Sequence, residues 1–323
     1  MAESPQTECT ERVTVLAGGV GAARFLRGLS SLLDPRRLTV VVNTGDDETF
    51  FGLHVSPDVD TVVYTLAGLV GQPHGWGVRN DTFACLSALA RYYDATWFRL
   101  GDRDLATHLF RTDALRRGVR LSAVTATVAR ACGVRATILP MSDAPVRTII
   151  HLQGTGPLPF QTYLVRGGGR GQVRRISLRG ARRARPAPGV LQAVRTADFV
   201  ILPPSNPLVS IGPILALPGM RRALRASRAR VAAISPIVGG APIKGPLHHM
   251  LKGLGHEVSP VGVARLYRGL VDVFVLDQRD AAALPRIAAL GMHPVVTDTV
   301  MSTAAKSQRL AAIVLQSLQS LRG

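Results

Sequence analysis

Residues 13–42 of the chain read VTVLAGGVGAARFLRGLSSLLDPRRLTVVV, and this stretch decides the fold. Its first five residues are β-branched or apolar, which predicts a short buried strand. Glycines follow at once at positions 18, 19 and 21, and apolar residues then recur at helical spacing to about Leu33. Residues 38–42 predict a second buried strand. A strand, a glycine turn, a helix and a second strand in this order begin a parallel α/β sheet.

The same alternation of strands and helices returns in the second half of the chain. Apolar runs predict four further strands, at residues 199–202, 231–235, 271–276 and 294–296. Helical spacing predicts helices at residues 218–227, 245–254, 280–290 and 302–322. We therefore predict an α/β fold, with a Rossmann-like parallel sheet that is flanked by helices.

Two regions interrupt this alternation. Residues 62–132 are predicted to be mostly helical, with a strand near residues 97–100 and with Asp81 as the cap of a helix that runs through Tyr92. Residues 146–187 are predicted to form a small antiparallel β insertion, with strands at 146–152, 160–165 and 173–178 that Gly/Pro turns connect. The prediction is one α/β domain over residues 1–323, with its core at 12–145 and 188–322.

The composition excludes a disordered chain and predicts a protein outside the membrane. Hydrophobic residues make up 46% of the 323 residues, which is enough for a sizeable core. Residues 1–12 lack the basic start and apolar centre of a signal peptide, and the uncharged stretch 199–220 contains five prolines, which disfavour a spanning helix. Three scattered cysteines predict reduced thiols, Cys9, Cys85 and Cys132. We expect a soluble, cytoplasmic protein.

The chain is strongly basic, with 39 Lys+Arg against 21 Asp+Glu and a formal net charge of +18. This surplus suggests nucleic acid, an acidic membrane or phosphorylated small molecules as partners, or only the codon usage of a GC-rich genome. Residues 166–185 hold eight arginines, no acid and a triple glycine, which resembles an RNA-binding tract. RNA-binding tracts usually combine arginines with aromatic residues on which bases stack. No aromatic residue lies between Tyr163 and the end of this segment, so a solvated hairpin is favoured over an RNA site. Salt-dependent retention on heparin or RNA tests the alternative.

The glycine turn predicts a phosphate-binding site. Gly18, Gly19 and Gly21 allow backbone N–H groups and a helix N-terminus to approach a phosphate closely. A nicotinamide cofactor is disfavoured, because Arg24 stands where the dinucleotide fingerprint has its third glycine. The second strand also leads into Asn43, and not into an acid that would hold a ribose hydroxyl. The turn therefore binds the phosphates of another nucleotide, or it is only a tight connection.

Five carboxylates follow the second strand within fifteen residues, namely Asp46, Asp47, Glu48, Asp58 and Asp60. The carboxyl ends of strands are where α/β proteins carry their sites. Hard oxygen ligands of this kind suit Mg²⁺ that is shared with a diphosphate. The alternative for one of them, Asp60, is that it only caps the helix that begins near residue 61. The loop therefore predicts Mg²⁺ as the cofactor.

Two further clusters carry polar groups that suit anions and nucleotides. Arg99 belongs to an aromatic and charged block that leads into a helix with His108 and Arg111. Planar guanidinium groups match phosphate and carboxylate oxygens. Ser205 and Asn206 lie in a proline-rich turn at the end of a predicted strand, where they can present hydrogen-bond donors to a base or a phosphate.

Eight short blocks follow one another along the chain. They are GGVG at 18–21, NTGDD at 43–47, PDVDT at 57–61, GWG at 75–77, LGDRDLATH at 100–108, PSNP at 204–207, SPI at 235–237 and TDTVM at 297–301. Together they resemble the 2-phospho-L-lactate transferase family of coenzyme F-420 biosynthesis. The resemblance covers residues 13 to about 315, and so many blocks in order are highly specific.

The resemblance implies a reaction and a role for particular residues. A phosphorylated three-carbon acid would move from a guanosine diphosphate donor to the ribityl hydroxyl of the deazaflavin Fo, and GMP would leave with the help of Mg²⁺. Asp60 and Arg99 are the positions expected to contact Fo. Asp47 is the expected principal Mg²⁺ ligand with Asp60 as a second, and either carboxylate is expected to accept the hydroxyl proton. The residues expected to bind the nucleotide and its phosphates are Gly18, Gly19, Gly21, Ser205 and Asn206.

The resemblance leaves the transferred acid open, because relatives that use lactyl, enolpyruvyl and glyceryl donors are alike. A non-catalytic alternative is a nucleotide-sugar-binding regulator of the gluconeogenesis-factor-like branch, which shares the glycine turn but not the acidic loop. GMP release in the presence of Fo distinguishes the two. A homodimer without nucleic-acid or membrane partners is expected. Replacing Asp60 by asparagine is expected to abolish transfer with the fold intact.

Overall fold

The computed structural model describes residues 10–71 and 74–321, and a parallel sheet of seven strands lies at its centre. In chain order the strands are β1 (Val13–Ala17), β2 (Leu38–Val42), β3 (Thr137–Pro140), β4 (Phe199–Leu202), β5 (Arg230–Ile234), β6 (Val273–Asp277) and β7 (His293–Thr297). Their spatial order is 3-2-1-4-5-6-7, so the direction of winding reverses between β1 and β4. This is the doubly wound order of Rossmann-like folds, and the predicted fold class is confirmed.

The central strands follow from runs of apolar and β-branched residues that are buried on both faces, whereas the edge strands β3 and β7 are more exposed. In β1, Val15 packs in the apolar layer on one side of the sheet and Leu16 in the layer on the other side. All six strands predicted for this sheet are present, within two residues at each end. The edge strand β3 was not predicted, because it is short, ends in Pro140 and is exposed at its first residue.

Helices cover both faces of the sheet. They are α1 (Gly19–Leu29), α2 (Pro57–Leu66), α3 (Ala84–Leu89), α4 (Asp102–Arg116), α5 (Leu121–Ala131), α6 (Val190–Thr196), α7 (Ile211–Ala216), α8 (Met220–Ala226), α9 (Leu247–Gly253), α10 (Pro260–Leu266), α11 (Leu284–Ala288) and α12 (Ala304–Ser320). One apolar layer includes α1, α2, α5 and α12, and the other includes α6 to α11.

Three small antiparallel sheets accompany the main sheet. One joins Arg147–Leu152 to Pro157–Pro159 and Val173–Arg179, in the region predicted as a β insertion. The strand predicted at residues 160–165 is wrong, because Thr162–Arg166 forms a short π-helical turn in which the Tyr163 hydroxyl donates to the Gly169 carbonyl. The other two are two-stranded hairpins, Glu48–Phe50 with Leu53–Val55 and Ile237–Val238 with Ala241–Pro242.

Two predictions between the glycine turn and the insertion are also wrong. Residues 97–100 are not a strand; Phe98 stacks on Phe50 with ring centroids 3.9 Å apart, and the chain runs irregularly into α4. Asp81 does not cap the helix that follows it. Its carboxylate accepts the N–H groups of residues 103 and 104 at the start of α4, while Asp102 accepts the N–H groups of residues 84 and 85 in α3. The two aspartates therefore cap each other's helices, which sequence spacing does not reveal.

The described helices and thiols bear on two of the predictions from composition. No helix within residues 10–71 and 74–321 is long and apolar enough to span a bilayer. Cys85 is exposed and Cys132 is half-buried, and both are free thiols, as predicted. Cys9 lies outside the described residues.

Replacing Gly28 by alanine is expected to lower the free energy of unfolding by about 2 kcal/mol. The new Cβ would lie 2.2 Å from the carbonyl carbon of Ser307, so α1 and α12 would have to separate. Overpacking of this kind costs about 3 kcal/mol, and the better helix propensity of alanine returns about 1 kcal/mol. Chemical denaturation measures the change. The control is Gly156→Ala, whose Cβ meets no atom within 4 Å; equal stability of the two variants would contradict the close packing.

Candidate active site

A cavity of about 590 Å³ opens where the order of the strands reverses, beyond their carboxyl ends. Its walls include the turn after β1 with Gly18, the loop after β4 with Ser205, and the segment after β7 with Thr299. Asp277, at the end of β6, fixes this last segment by accepting the N–H and the hydroxyl of Thr299, both at 3.0 Å. The cavity therefore lies where this class of fold binds its ligands.

The three glycines of the turn allow α1 to begin against the cavity. Gly18 is extended, and a Cβ there would lie 2.8 Å from Cβ of Ser210. Gly19 has a φ of +75°, which disfavours any other residue. A Cβ at Gly21 would lie 2.3 Å from the carbonyl oxygen of Pro204. All three glycines line the cavity, and their role toward a phosphate stays a prediction.

Two buried carboxylates, those of Asp46 and Asp58, line the same cavity. Asp58 accepts the N–H of Gly19 at 2.8 Å and the side-chain amide of Asn43 at 2.9 Å. Burial raises the pKa of Asp58 to about 6, although these hydrogen bonds oppose the rise. Burial and the charge of Asp58 raise the pKa of Asp46 well above its usual range, and Oδ1 of Asp46 has no hydrogen-bond partner among residues 10–71 and 74–321. A cation between these groups would remove the cost of ionising them.

Asp47 occupies a different position from its neighbour. It is 3% exposed and is not among the residues that line the cavity. One of its oxygens accepts the hydroxyl of Ser56 at 2.7 Å and lies 3.0 Å from Nε2 of His54. This places Asp47 behind the cavity wall, where it holds the hairpin that follows β2. Asp47 was the residue expected to bind the metal ion, but Asp46 and not Asp47 lines the cavity.

Asp60 lines the cavity and forms a buried ion pair with Arg111. Both terminal nitrogens of the guanidinium bind the carboxylate, with Nη1 3.0 Å from Oδ2, and Arg111 is 0% exposed. Burial raises the pKa of Asp60, and the charge of Arg111 opposes the rise. The alternative that Asp60 is only a helix cap is wrong, because Ser56 is the N-cap of α2 and the carboxylate binds Arg111.

The ion pair continues into a chain of buried polar side chains from α4. Nδ1 of His108 lies 3.8 Å from Asp60, and its Nε2 lies 3.3 Å from Asp104, which also accepts the hydroxyl of Tyr64 at 2.8 Å. Asp60, Asp104 and His108 are close enough to share a metal ion. The guanidinium of Arg111 already neutralises Asp60, however, so a second cation there would meet a positive charge. These residues fit a rigid polar wall better than a metal centre.

The partners of Asp60 were not predicted from the sequence. The block with His108 and Arg111 was interpreted only as a source of groups for anions. Their spacing with Asp104 does place all three on one face of α4 at intervals of four and three residues. The sequence therefore indicated a shared face of α4, but it did not indicate which distant residue this face contacts.

Aromatic side chains and Arg99 form another wall of the cavity. Trp76, Trp97 and Phe98 line it, and the guanidinium of Arg99 lies 4.2 Å from the ring centroid of Phe83. A stack of this kind restrains the exposed arginine without a carboxylate partner. Flat rings next to an apolar wall suit a planar heterocycle, and a guanidinium at its rim suits an anionic or carbonyl oxygen.

The loop after β4 brings Ser205 and Asn206 to the cavity, as predicted, but with different tasks. Ser205 lines the cavity, and its buried hydroxyl has no hydrogen-bond partner among the described residues. The side-chain oxygen of Asn206 accepts the N–H groups of Leu208 and Val209, at 2.9 and 3.3 Å. Asn206 therefore shapes the turn that presents Ser205.

The arginines of residues 166–185 do not contribute to the cavity. None of the eight is among its lining residues. Arg174, Arg175 and Arg179 lie on a strand of the small three-stranded sheet, where Arg174 donates to Gln153 and Arg175 faces His151. The dense positive charge is therefore a surface feature, separate from the acidic site.

Comparisons with known proteins identify the class to which this fold and cavity belong. The family described as 2-phospho-L-lactate transferase CofD matches residues 13–317. The chain is 43% identical over 307 residues to the "Phosphoenolpyruvate transferase" of Streptomyces griseus subsp. griseus, covering 92% of this chain and 96% of that protein. It is 40% identical over 302 residues to the "2-phospho-L-lactate transferase" of Methanosarcina mazei, covering 94% and 99%.

A solved structure supports the fold independently. The crystal structure of a Bacillus halodurans protein of the UPF0052 family matches with a TM-score of 0.62 and 18% identity, over 95% of this chain and 99% of that one. At this identity the likeness concerns the fold alone. The cavity and the family match define a transferase. The chain belongs to the 2-phospho-L-lactate transferase CofD family.

Proposed function

We propose that the chain transfers a phosphorylated three-carbon acid from a guanosine diphosphate donor to the ribityl hydroxyl of Fo in coenzyme F-420 biosynthesis. The observation that carries this proposal is a single cavity that holds a glycine turn, a buried pair of carboxylates and an aromatic wall with Arg99. Each part suits one part of the substrates: the glycine turn the diphosphate, the carboxylates a divalent cation, and the aromatic wall the deazaflavin. The family match supports the reaction class.

The reaction needs orientation more than a strong base. The Fo hydroxyl oxygen forms a bond to the phosphorus that bears the acid, the bond from that phosphorus to the bridging oxygen breaks, and GMP leaves with the electron pair. We assign Asp60 to the hydroxyl, as its hydrogen-bond acceptor and the acceptor of its proton. The bidentate bond from Arg111 fixes the direction of this carboxylate. Ser205 and the glycine turn hold the nucleotide phosphates, and Arg99 holds Fo at the rim.

The buried acids fit a magnesium ion. Mg²⁺ prefers carboxylate oxygens and is held by one or two of them together with substrate phosphates. Asp46 and Asp58 meet this requirement, because both are buried carboxylates that line the cavity, whereas Asp47 does not line it. We therefore assign the ion to Asp46 and Asp58, in place of the sequence-based choice of Asp47 and Asp60. Bound there, Mg²⁺ would neutralise charge on the phosphate oxygens.

Mg²⁺ is expected to bind more weakly as the pH falls through about 6. The pKa of Asp58 is about 6 in the metal-free protein, so below this pH a proton competes with the ion. The apparent Kd should rise by about tenfold for each pH unit below 6, because one pKa unit corresponds to a tenfold change in the ionised fraction. Titration calorimetry at pH 5.0 and 7.5 measures this. An equal Kd at both values would contradict the assignment to Asp58.

Transfer is tested by incubating the protein with Fo, Mg²⁺ and each of three donors, in which guanosine diphosphate carries a lactyl, enolpyruvyl or glyceryl acid. The expected result is GMP release in step with an Fo adduct, whose mass identifies the acid. The relatives named above carry two different acids in their names, so the donor is determined by this measurement. Donor binding without GMP release from any donor would replace this proposal with the nucleotide-sugar-binding regulator.

A homodimer is the expected assembly. Exposed apolar side chains support this, among them Tyr92 at 79% and Leu109 at 57% exposure, and α3 has no buried residue. Patches of this kind commonly mark contacts between proteins. Sedimentation equilibrium at micromolar concentration gives the stoichiometry. A mass of one chain, 34.4 kDa, would contradict the expectation.

A further inference from the structure

A second, smaller cavity shares part of its lining with the first. It has a volume of about 160 Å³ and lies between α1 and the start of α12. Arg24, Met301 and Ser302 line both cavities. Arg24 and Arg27 follow each other by about one turn of α1, so both side chains reach the small cavity from the same side. None of the residues to which a role in transfer is assigned above lines the small cavity.

The two arginines of this cavity lack compensating charge. Within residues 10–71 and 74–321, no carboxylate lies within 4.0 Å of either guanidinium. The acid nearest in sequence to the opposite wall, Asp298, pairs with Lys306 at 2.8 Å. Nε of Arg27 is buried and has no hydrogen-bond partner in the described structure. A buried donor without a partner costs about 1–3 kcal/mol, and arginine cannot remove this cost by losing its proton.

A helix dipole accounts for only part of this arrangement. Arg27 lies in the last turn of α1, where a positive charge is favourable. That interaction explains the charge but leaves the buried Nε without an acceptor. Arg27 lines the small cavity, and an oxyanion there would supply the negative charge that the described residues do not.

The opposite wall of the small cavity also favours an anion. α12 has 17 residues, and Thr303 and Ala304 at its start line the cavity. The Thr303 hydroxyl accepts only the N–H of Lys306, so the preceding N–H groups of the first turn have no partner within the helix. These groups add the partial positive charge of a long helix to the two guanidinium groups.

We propose that this cavity is a subsite for a small oxyanion, a carboxylate or a phosphate, held by Arg24 and Arg27 against the start of α12. In the transfer reaction the subsite binds the carboxylate of the three-carbon acid; this role rests on the proposed function. Arg24 follows Gly21 by three residues, about 4.5 Å along the helix axis. A group attached to a phosphate at the glycine turn is therefore within reach of Arg24. The binding of the oxyanion itself does not require the reaction.

The test is a titration of the full-length, metal-free protein in EDTA with two probes, inorganic phosphate and pyruvate. Arg27 lines only the small cavity, so Arg27→Met removes the subsite and leaves the lining of the larger cavity unchanged. The matched control is Arg309→Met, an exposed arginine on α12 outside both cavities. At least one probe is expected to bind wild type and Arg309→Met alike, and Arg27→Met is expected to weaken this binding by tenfold or more. Binding of pyruvate identifies a carboxylate subsite, and binding of phosphate alone identifies a phosphate subsite.

A second measurement avoids reliance on the variant. Phenylglyoxal modifies accessible arginines, and mass spectrometry follows each site in the wild-type protein. The bound probe is expected to slow modification of Arg27 at least threefold and to leave Arg309 unchanged. Failure of both probes to bind, or binding that Arg27→Met leaves intact, overturns the proposal. If neither probe binds the wild-type protein and transfer is intact, the subsite alone is rejected, whereas oxyanion binding without any transfer rejects the proposed function alone.

Discussion

Asp58→Asn is expected to lower the transfer rate by about 10² to 10³-fold and, at the same time, to stabilise the metal-free protein. The loss of rate follows from removing a charged group that would hold Mg²⁺ at the phosphates. The gain in stability follows from burial. The pKa of Asp58 is about 6 in the folded state and 3.8 in the unfolded chain, so above pH 6 the ionised carboxylate destabilises the folded state by about 3 kcal/mol. Loss of the hydrogen bond from the Asn43 side chain offsets about 1 kcal/mol of this gain in stability.

The sign of this stability effect depends on pH. The folded protein binds the Asp58 proton more tightly than the unfolded chain, so the free energy of unfolding of the metal-free wild type falls as pH rises from about 4 to above 6. The variant lacks this decline. Thermal unfolding at pH 5.0 and 7.5, with and without Mg²⁺, measures it. Asp113→Asn, which alters a carboxylate 66% exposed, is the control. An Asp58→Asn variant that Mg²⁺ stabilises as strongly as wild type would remove Asp58 from the metal site.

Arg111→Met is expected to lower the free energy of unfolding by about 3–5 kcal/mol, the typical cost of leaving one partner of a buried ion pair alone. Asp60 would remain buried beside Asp104 without the guanidinium that binds both of its oxygens. Transfer is expected to fall by about 10²-fold or more, because the carboxylate loses its fixed direction toward the Fo hydroxyl. Urea denaturation and single-turnover transfer measure the two effects separately.

The matched control for this prediction is Arg117→Met, which breaks an exposed ion pair with Asp113 at 2.8 Å. Its effect is expected to stay within about 0.5 kcal/mol. The double variant Asp60→Asn/Arg111→Met is expected to cost less than the sum of the two single variants, because neither charge is left alone. Additive costs would show that the two side chains do not depend on each other. The pair also changes the expectation for Asp60→Asn, which now includes a loss of stability besides the loss of transfer.

The sequence predicted the main sheet well and the site only in part. Six of the seven strands described in the sheet are local runs rich in apolar and β-branched residues, so their positions are visible without the rest of the chain, whereas the short edge strand β3 is not. The choice between Asp46 and Asp47 is not visible in this way, because adjacent residues of a loop point in different directions. The pair of Asp60 and Arg111 joins residues 51 positions apart, and only the packing of α4 on α2 brings them together. Sequence therefore located the acidic loop and Asp60, but it did not show that Asp46 and Asp58 line the cavity while Asp47 does not.

The segment that carries Trp76 and Arg99, residues 74–99, has few buried residues in comparison with the rest of the molecule. Within residues 74–99 only Gly75 is buried, and the mutual caps of Asp81 and Asp102 fix the segment at its base. Apart from Gly75 and Val78, which packs against one apolar layer, its residues can therefore be exchanged with little effect on the core. In evolutionary terms the aromatic wall is a separate module. A lineage can alter the molecules it accepts there while the folding of the chain stays under unchanged selection.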